Sequence, residues 1–165
     1  AERYGALKEF LERRADSVLP VTREILLGGA RISGADVFAG QQRLNALKRE
    51  IDDLWHDIDV FVVPTTGTIY KISELEADPV NLNTRIGRYT TFANLADLSA
   101  VAAPNGFLPN GLPQGVSLIG PAFADNKIAS LADRFHRDSD LPLGARTVRH
   151  LAESQYPETQ TELVT

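Results

Sequence analysis

The chain has 165 residues, 43% of them hydrophobic and 24% charged, with a mean hydropathy of −0.16, the make-up of a single globular domain with a sizeable core. Its 17 basic and 22 acidic side chains leave a formal charge of −5, which argues against a nucleic-acid partner and against a surface held on anionic lipid. No apolar run approaches the roughly 18 residues of a membrane span, nothing at the start resembles a signal peptide, and the absence of cysteine excludes disulfide scaffolds, thiol nucleophiles and cysteine-held zinc.

The opening Ala1-Glu2-Arg3-Tyr4 enters a helical pattern at once, and methionine is absent even at position 1, which reads as a piece of a longer chain. The first helix is expected from Glu2 to Ala15. Tyr4, Leu7, Leu11 and Val18 form its apolar stripe, Phe10 widens it, and Lys8, Glu9, Glu12 and Arg13 face water. A short helix follows Pro20, a residue suited to a first turn, and stops at Gly28-Gly29. Ser33 with Asp36 three residues on is a capping-box pattern opening a long helix to about Asp57. Its stripe is Val37, Gln41, Leu44, Leu47, Ile51, Leu54 and Ile58, flanked by Phe38 and Trp55.

Asp59-Val-Phe-Val-Val-Pro64 is β-branched and aromatic on both faces and ends in a proline, the pattern of a central strand in a helix-covered sheet. Thr65 to Gly87 reads as irregular, with at most one helical turn at Ser73 to Ala77. A helix over Tyr89 to Asp97 then leads to a short strand, Ser99 to Ala103, ended by Pro104. Turn signals at Asn105-Gly106 and Pro109-Asn110-Gly111 precede a strand at Gln114 to Ile119. Asp125 is placed to cap a last helix carrying Ile128, Leu131, Ala132 and Phe135. The pattern fades from Asp138, and residues 147–165 read as a tail or linker. The class is α/β.

A complete catalytic constellation is missing. His56, His136 and His150 are not spaced as metal ligands, and Asp52, Asp53, Asp57 and Asp59 fall on different faces of a helix end, so no metal site is expected. No serine sits in a Gly-x-Ser-x-Gly elbow or three residues before a lysine, and the four lysines, Lys8, Lys48, Lys71 and Lys127, lie in ordinary surface sequence. No phosphate-binding glycine loop is present either. What remains is the loop Pro64-Thr65-Thr66-Gly67-Thr68-Ile69-Tyr70, leaving the C-terminal end of an apolar strand, where open α/β sheets bind ligands.

Three blocks in order carry a resemblance: Asp59-Val-Phe-Val-Val-Pro-Thr65, Thr91-Phe-Ala-Asn-Leu-Ala-Asp-Leu-Ser-Ala-Val-Ala-Ala-Pro104, and Gly111-Leu-Pro-Gln-Gly-Val-Ser-Leu-Ile-Gly120. They resemble the C-terminal half of the amidase signature enzymes. Within that family the likeness is to the allophanate hydrolases, through Ala1-Glu-Arg-Tyr4, Gly28-Gly-Ala-Arg31, Pro64-Thr-Thr-Gly-Thr-Ile-Tyr70, Glu76-Ala-Asp-Pro-Val-Asn-Leu-Asn83, Gly87-Arg-Tyr-Thr-Thr-Phe-Ala-Asn94, Ala124-Asp125 and Leu141-Pro-Leu-Gly-Ala145. It spans residues 1–146 and departs from the family pattern at Ile32, where an aromatic is common, and Thr66, where alanine is usual.

The resemblance implies the C-terminal portion of an amidase-signature fold, a mixed β-sheet covered by helices. The implied reaction is hydrolysis of allophanate (carboxyurea) to ammonia and carbon dioxide in urea breakdown. The serine nucleophile, a second serine in a cis peptide and a lysine would lie in an upstream half, with backbone N–H groups holding the oxyanion. No catalytic residue is therefore assigned here, no cofactor is implied, and the chain alone is expected to be inactive. Arg3, just before an aromatic, matches the family's arginine that holds the substrate carboxylate, and its tyrosine partner falls before residue 1. Thr66 and Gly67 would lie over the substrate pocket, and Asn94 would support nearby backbone. The expected partners are the small-molecule substrate, the upstream half and a second copy in a homodimer, with a cytoplasmic location. A sheet cut midway would leave Val60 to Val63 without neighbours. The open alternatives are another amidase, an amidotransferase component, or a non-catalytic module on the same scaffold.

Overall fold

The computed structural model of the chain describes residues 1–142. The two N-terminal helices, α1 (Glu2–Arg14) and α2 (Pro20–Gly28), pack against each other. Leu11 is buried in this pair, while Leu7 and Phe10 of the same stripe stay exposed. Glycine at position 29 permits the close approach, because a Cβ there would lie 2.7 Å from the Tyr4 Cβ.

Helix α3 (Gly34–Leu54) opens on the expected capping box. The Asp36 N–H donates to Ser33 Oγ at 3.1 Å, and the Asp36 carboxylate accepts from the Ser33 N–H at 3.0 Å and from its hydroxyl at 2.7 Å. Those hydrogen bonds hold the Asp36 carboxyl below its ordinary pKa of 3.8. The helix ends three residues earlier than expected, and no residue in it is fully buried; Phe38, Leu47 and Leu54 are exposed. One ion pair, Lys48 with Asp97, ties it to the loop beyond α6 (Thr91–Leu95).

Three strands form one antiparallel sheet in the order β1-β3-β2: β1 (Phe61–Pro64), β2 (Ser99–Phe107) and β3 (Pro113–Gly120). Phe61 stands opposite Ile119 and Val63 opposite Ser117, while Val101 and Ala103 face Leu118 and Val116. Directly opposed residues share a face. One face therefore carries Val101, Ala103, Val116 and Leu118, which pack with Leu131, Ala132 and Phe135 of α7 (Asp125–Ser139). The opposite face carries Phe61, Ser117 and Ile119; the Phe61 ring meets Trp55 edge-on at 5.0 Å and Phe92 at 6.5 Å. Ile119 and Ile128 are fully buried.

The α/β class stands, and several expected details change. The apolar strand is not central: β1 is an edge, paired only with β3 among the described strands, and Val62 is 58% exposed. Its two-sided apolar sequence thus exceeds the cover available, since α7 lies chiefly over β2 and β3. In the stretch Thr65 to Gly87 the helical turn expected at Ser73 to Ala77 is present as α4 (Ile72–Ala77), and a second helix, α5 (Pro79–Ile86), stands where irregular chain was expected. Pro79 opens α5 at its first turn, where its missing N–H costs nothing. Strand β2 does not stop at Pro104, which pairs with Gly115. A proline is tolerated because β2 is the other edge, and the ladder is broken by a bulge between Pro104 and Phe107 where Gly106 takes φ +99°. Asp125 does not cap α7: its carboxylate accepts from the Ser99 hydroxyl at 2.9 Å, and the Ser99 oxygen accepts from the Ala124 N–H at 3.1 Å. The pair fastens the start of β2 to the start of α7. The tail or linker expected over 147–165, His150 included, lies outside the described residues.

Candidate functional site

The loop after β1 is held at successive points. The Thr65 N–H donates to the Gly115 carbonyl at 3.0 Å, extending the β1–β3 ladder by one residue. The Thr65 and Ser117 hydroxyls lie 2.9 Å apart, and the Thr66 hydroxyl donates to the Thr68 carbonyl at 2.9 Å. Gly67 lies under Tyr89, whose ring edge would be 3.4 Å from a Cβ at that position.

Thr65 and Thr66 form part of the wall of an open cavity of about 460 Å³, with Ile69, Ala102, Pro104, Phe107, Pro113 and Leu141. Its described lining holds no charged side chain. Leu141 closes one side because the His136 Nε2–H donates to the Leu141 carbonyl at 2.9 Å, turning the chain back after α7 toward Gly106.

Arg3 stands elsewhere. It is exposed on the first turn of α1 and borders a cavity of about 350 Å³ with Tyr4, Ile25, Leu26, Gly29 and Ile32. It has no ion-pair partner among the described residues, and Glu9 pairs with Arg13 instead at 4.0 Å. Asn94, exposed on α6, borders a third concavity of about 790 Å³ with Asp97, Ser99, Phe123 and Asp125. Arg3, Thr66 and Asn94 therefore line three separate cavities, and Gly67, in the lining of none of the three, shares only its loop with Thr66. Two residues tied to that loop, Ser117 and Tyr89, are not among the site residues expected from the sequence, although they lie in the resemblance blocks Gly111–Gly120 and Gly87–Asn94. The local signal for Ser117 is a hydroxyl inside the apolar run Val116-Ser-Leu-Ile119.

Among the described residues no group of three or more His, Asp or Glu side chains is arranged to hold a metal ion. No described helix is long and apolar enough to cross a membrane.

A family model described as Amidase matches residues 5–129. The chain belongs to the amidase family. The three sequence blocks that suggested the amidase family fall on β1, on α6 with β2, and on the turn into β3, so they form the sheet and the loop leaving it. The urea amidolyase of Lachancea kluyveri is 37% identical over 165 residues, covering 99% of this chain and 9% of its own length. One component of the glutamyl-tRNA(Gln) amidotransferase of Lacticaseibacillus casei is 34% identical over 138 residues, covering 79% of this chain and 28% of its own length. The chain thus spans less than a third of the curated relatives it matches. The crystal structure of the K. lactis urea amidolyase superposes with a TM-score of 0.80 at 37% identity, over 85% of this chain and 9% of that one. A crystal structure of an amidase, 21% identical with a TM-score of 0.67 over 82% of this chain, shares the fold.

Proposed function

We propose that this chain is the C-terminal part of an amidase domain in a protein that hydrolyses allophanate. The observation that carries the reading is the match to urea amidolyase: it runs over 99% of the chain at 37% identity, against 79% at 34% for the amidotransferase component. In this reading an upstream half of the domain supplies the serine nucleophile, the cis-peptide serine and the lysine. Residues 1–146 supply scaffold and substrate pocket, and 147–165 a tail or linker.

Arg3 is the proposed reader of the substrate carboxylate. Its guanidinium stays charged and can hold two carboxylate oxygens at once, and no described acidic group occupies it. Thr66 and Gly67 are proposed to border the substrate, with Asn94 in support. The apolar lining beside Thr66 fits a wall that excludes water better than one that binds charge. A second copy in a homodimer belongs to the same reading.

The test is ammonia release by the full-length protein from allophanate and from glutamine. Faster turnover of allophanate is expected. Preference for glutamine would favour the amidotransferase reading, which the 34% match keeps in play. No release from either would favour a non-catalytic module.

A further inference from the structure

The geometry points to Ser117 as a positioning residue for the substrate loop, acting through Thr65. This rests on the proposal that Thr66 and Gly67 border the substrate. Ser117 sits in the middle of β3, 4% exposed, between Val63 of β1 and Ala102 of β2, with Ile119 next along the same face. Everything in its row is apolar, so packing alone would call for alanine or valine there. A hydroxyl at such a position costs free energy unless it is bonded. Its partner is Thr65 Oγ1 at 2.9 Å, the side chain of the first residue past the end of β1.

The surroundings are shaped to let that bond form. Thr65 lies across from Gly115, and a Cβ on Gly115 would lie 3.3 Å from Thr65 Oγ1 and 3.2 Å from the Ala103 carbonyl. Glycine at 115 thus clears the space that the Thr65 side chain occupies. Ser117, two residues further along the same face, then fixes where the Thr65 hydroxyl is held. With the backbone bond from the Thr65 N–H to Gly115, Thr65 is pinned by both main chain and side chain at 3.0 and 2.9 Å. The next residue is Thr66, whose own hydroxyl closes on Thr68, and then comes Gly67 against Tyr89. The positioning therefore runs from the core of the sheet to the loop through one hydroxyl pair. Ser117 itself stays below the loop.

The test uses the full-length protein carrying Ser117→Ala, Thr65→Val, or both. Losing one neutral hydrogen bond that orders the loop is expected to raise KM for allophanate about fivefold to tenfold, with kcat changing less than about threefold. The two single variants should show the same rise, and the double variant no more than either, because each removes the same bond. Hydrogen exchange at the Thr65 amide, the loop N–H that is bonded to the Gly115 carbonyl at 3.0 Å, should speed up in all three, while protection of β3 is kept. Additive KM effects, a fall confined to kcat, or unchanged exchange in the loop would overturn the role. If the unaltered protein releases no ammonia from allophanate, the functional reading fails. The exchange measurement then still decides whether Ser117 orders the loop: unchanged exchange rejects it and faster exchange supports it.

Discussion

Gly120 and Ile128 offer a quantitative test of how the sheet and α7 are joined. Ile128 is fully buried, and a Cβ on Gly120 would lie 2.8 Å from its Cγ2, 0.6 Å inside the 3.4 Å of ordinary contact. Gly120→Ala should therefore overpack the junction and destabilise the domain by about 1–3 kcal/mol. Ile128→Ala removes three buried carbons, worth about 2.4 kcal/mol at roughly 0.8 each, and rises toward about 4 kcal/mol with the cavity left behind. The double variant is the informative one. The new methyl at position 120 moves into the volume that Cγ2 vacates, so the overpacking disappears and part of the cavity is filled. The pair should then be less destabilised than the sum of the singles by about 1–3 kcal/mol. Urea unfolding of the complete amidase domain, followed by far-ultraviolet circular dichroism, gives each value. Additivity within about 0.5 kcal/mol would refute the direct packing of β3 on α7 at this point.

Ser33→Ala should remove half of the capping box of α3 and lower stability by about 1 kcal/mol, with Ser33→Asn restoring most of it in the same unfolding assay. Lys127 lies 2.6 Å from Asp59, and this hydrogen bond and the ammonium's charge hold the Asp59 carboxyl below its ordinary value of 3.8. A carboxyl with a lowered folded pKa stabilises the fold above its unfolded value and loses that contribution as pH falls through the folded one. Lys127→Met should accordingly flatten the loss of stability on acidification below about pH 4, and an unchanged acid profile would count against the pair. The chain expressed alone should release no ammonia from allophanate, and the coding sequence upstream should encode a serine-rich segment with its lysine. Ammonia release by residues 1–165 alone would contradict that division of labour.

Some of this architecture could be read directly from residues and some could not. The capping box at Ser33 and Asp36, the proline-started α2 and the apolar stripe of α7 are local signals, and each reappears where its chemistry put it. Strand β1 was visible as a strand, but its place in the sheet was not, because two-sided apolarity reports how much cover a strand is suited to and not what pairs with it. Helix α5 was hidden by Asn81, Asn83 and Thr84, weak helix formers whose side chains donate to the Asp78 carboxylate at its N-terminus and to the Pro79 and Val80 carbonyls in its first turn. Pro104 reads as a strand end because it cannot donate to a ladder, and the sequence does not show that β2 is an edge where that donor is not needed. Asp125 looked like a cap because the sequence does not reveal Ser99, 26 residues away, as its partner. For the candidate site, the loop at Thr65 to Gly67 was legible from its position after a strand. The hydroxyl that holds it, on Ser117, is 52 positions from Thr65 and is joined to it only by the pairing of β1 with β3.

The most direct measurement of the central claim is kcat/KM of the full-length protein and of its Arg3→Ala variant on allophanate and on a neutral amide of similar size. If this segment supplies the reader of the substrate carboxylate, Arg3→Ala should lower kcat/KM for allophanate by about 10- to 100-fold, mostly through KM, and leave the neutral amide within about threefold. Equal losses on the two substrates would contradict it.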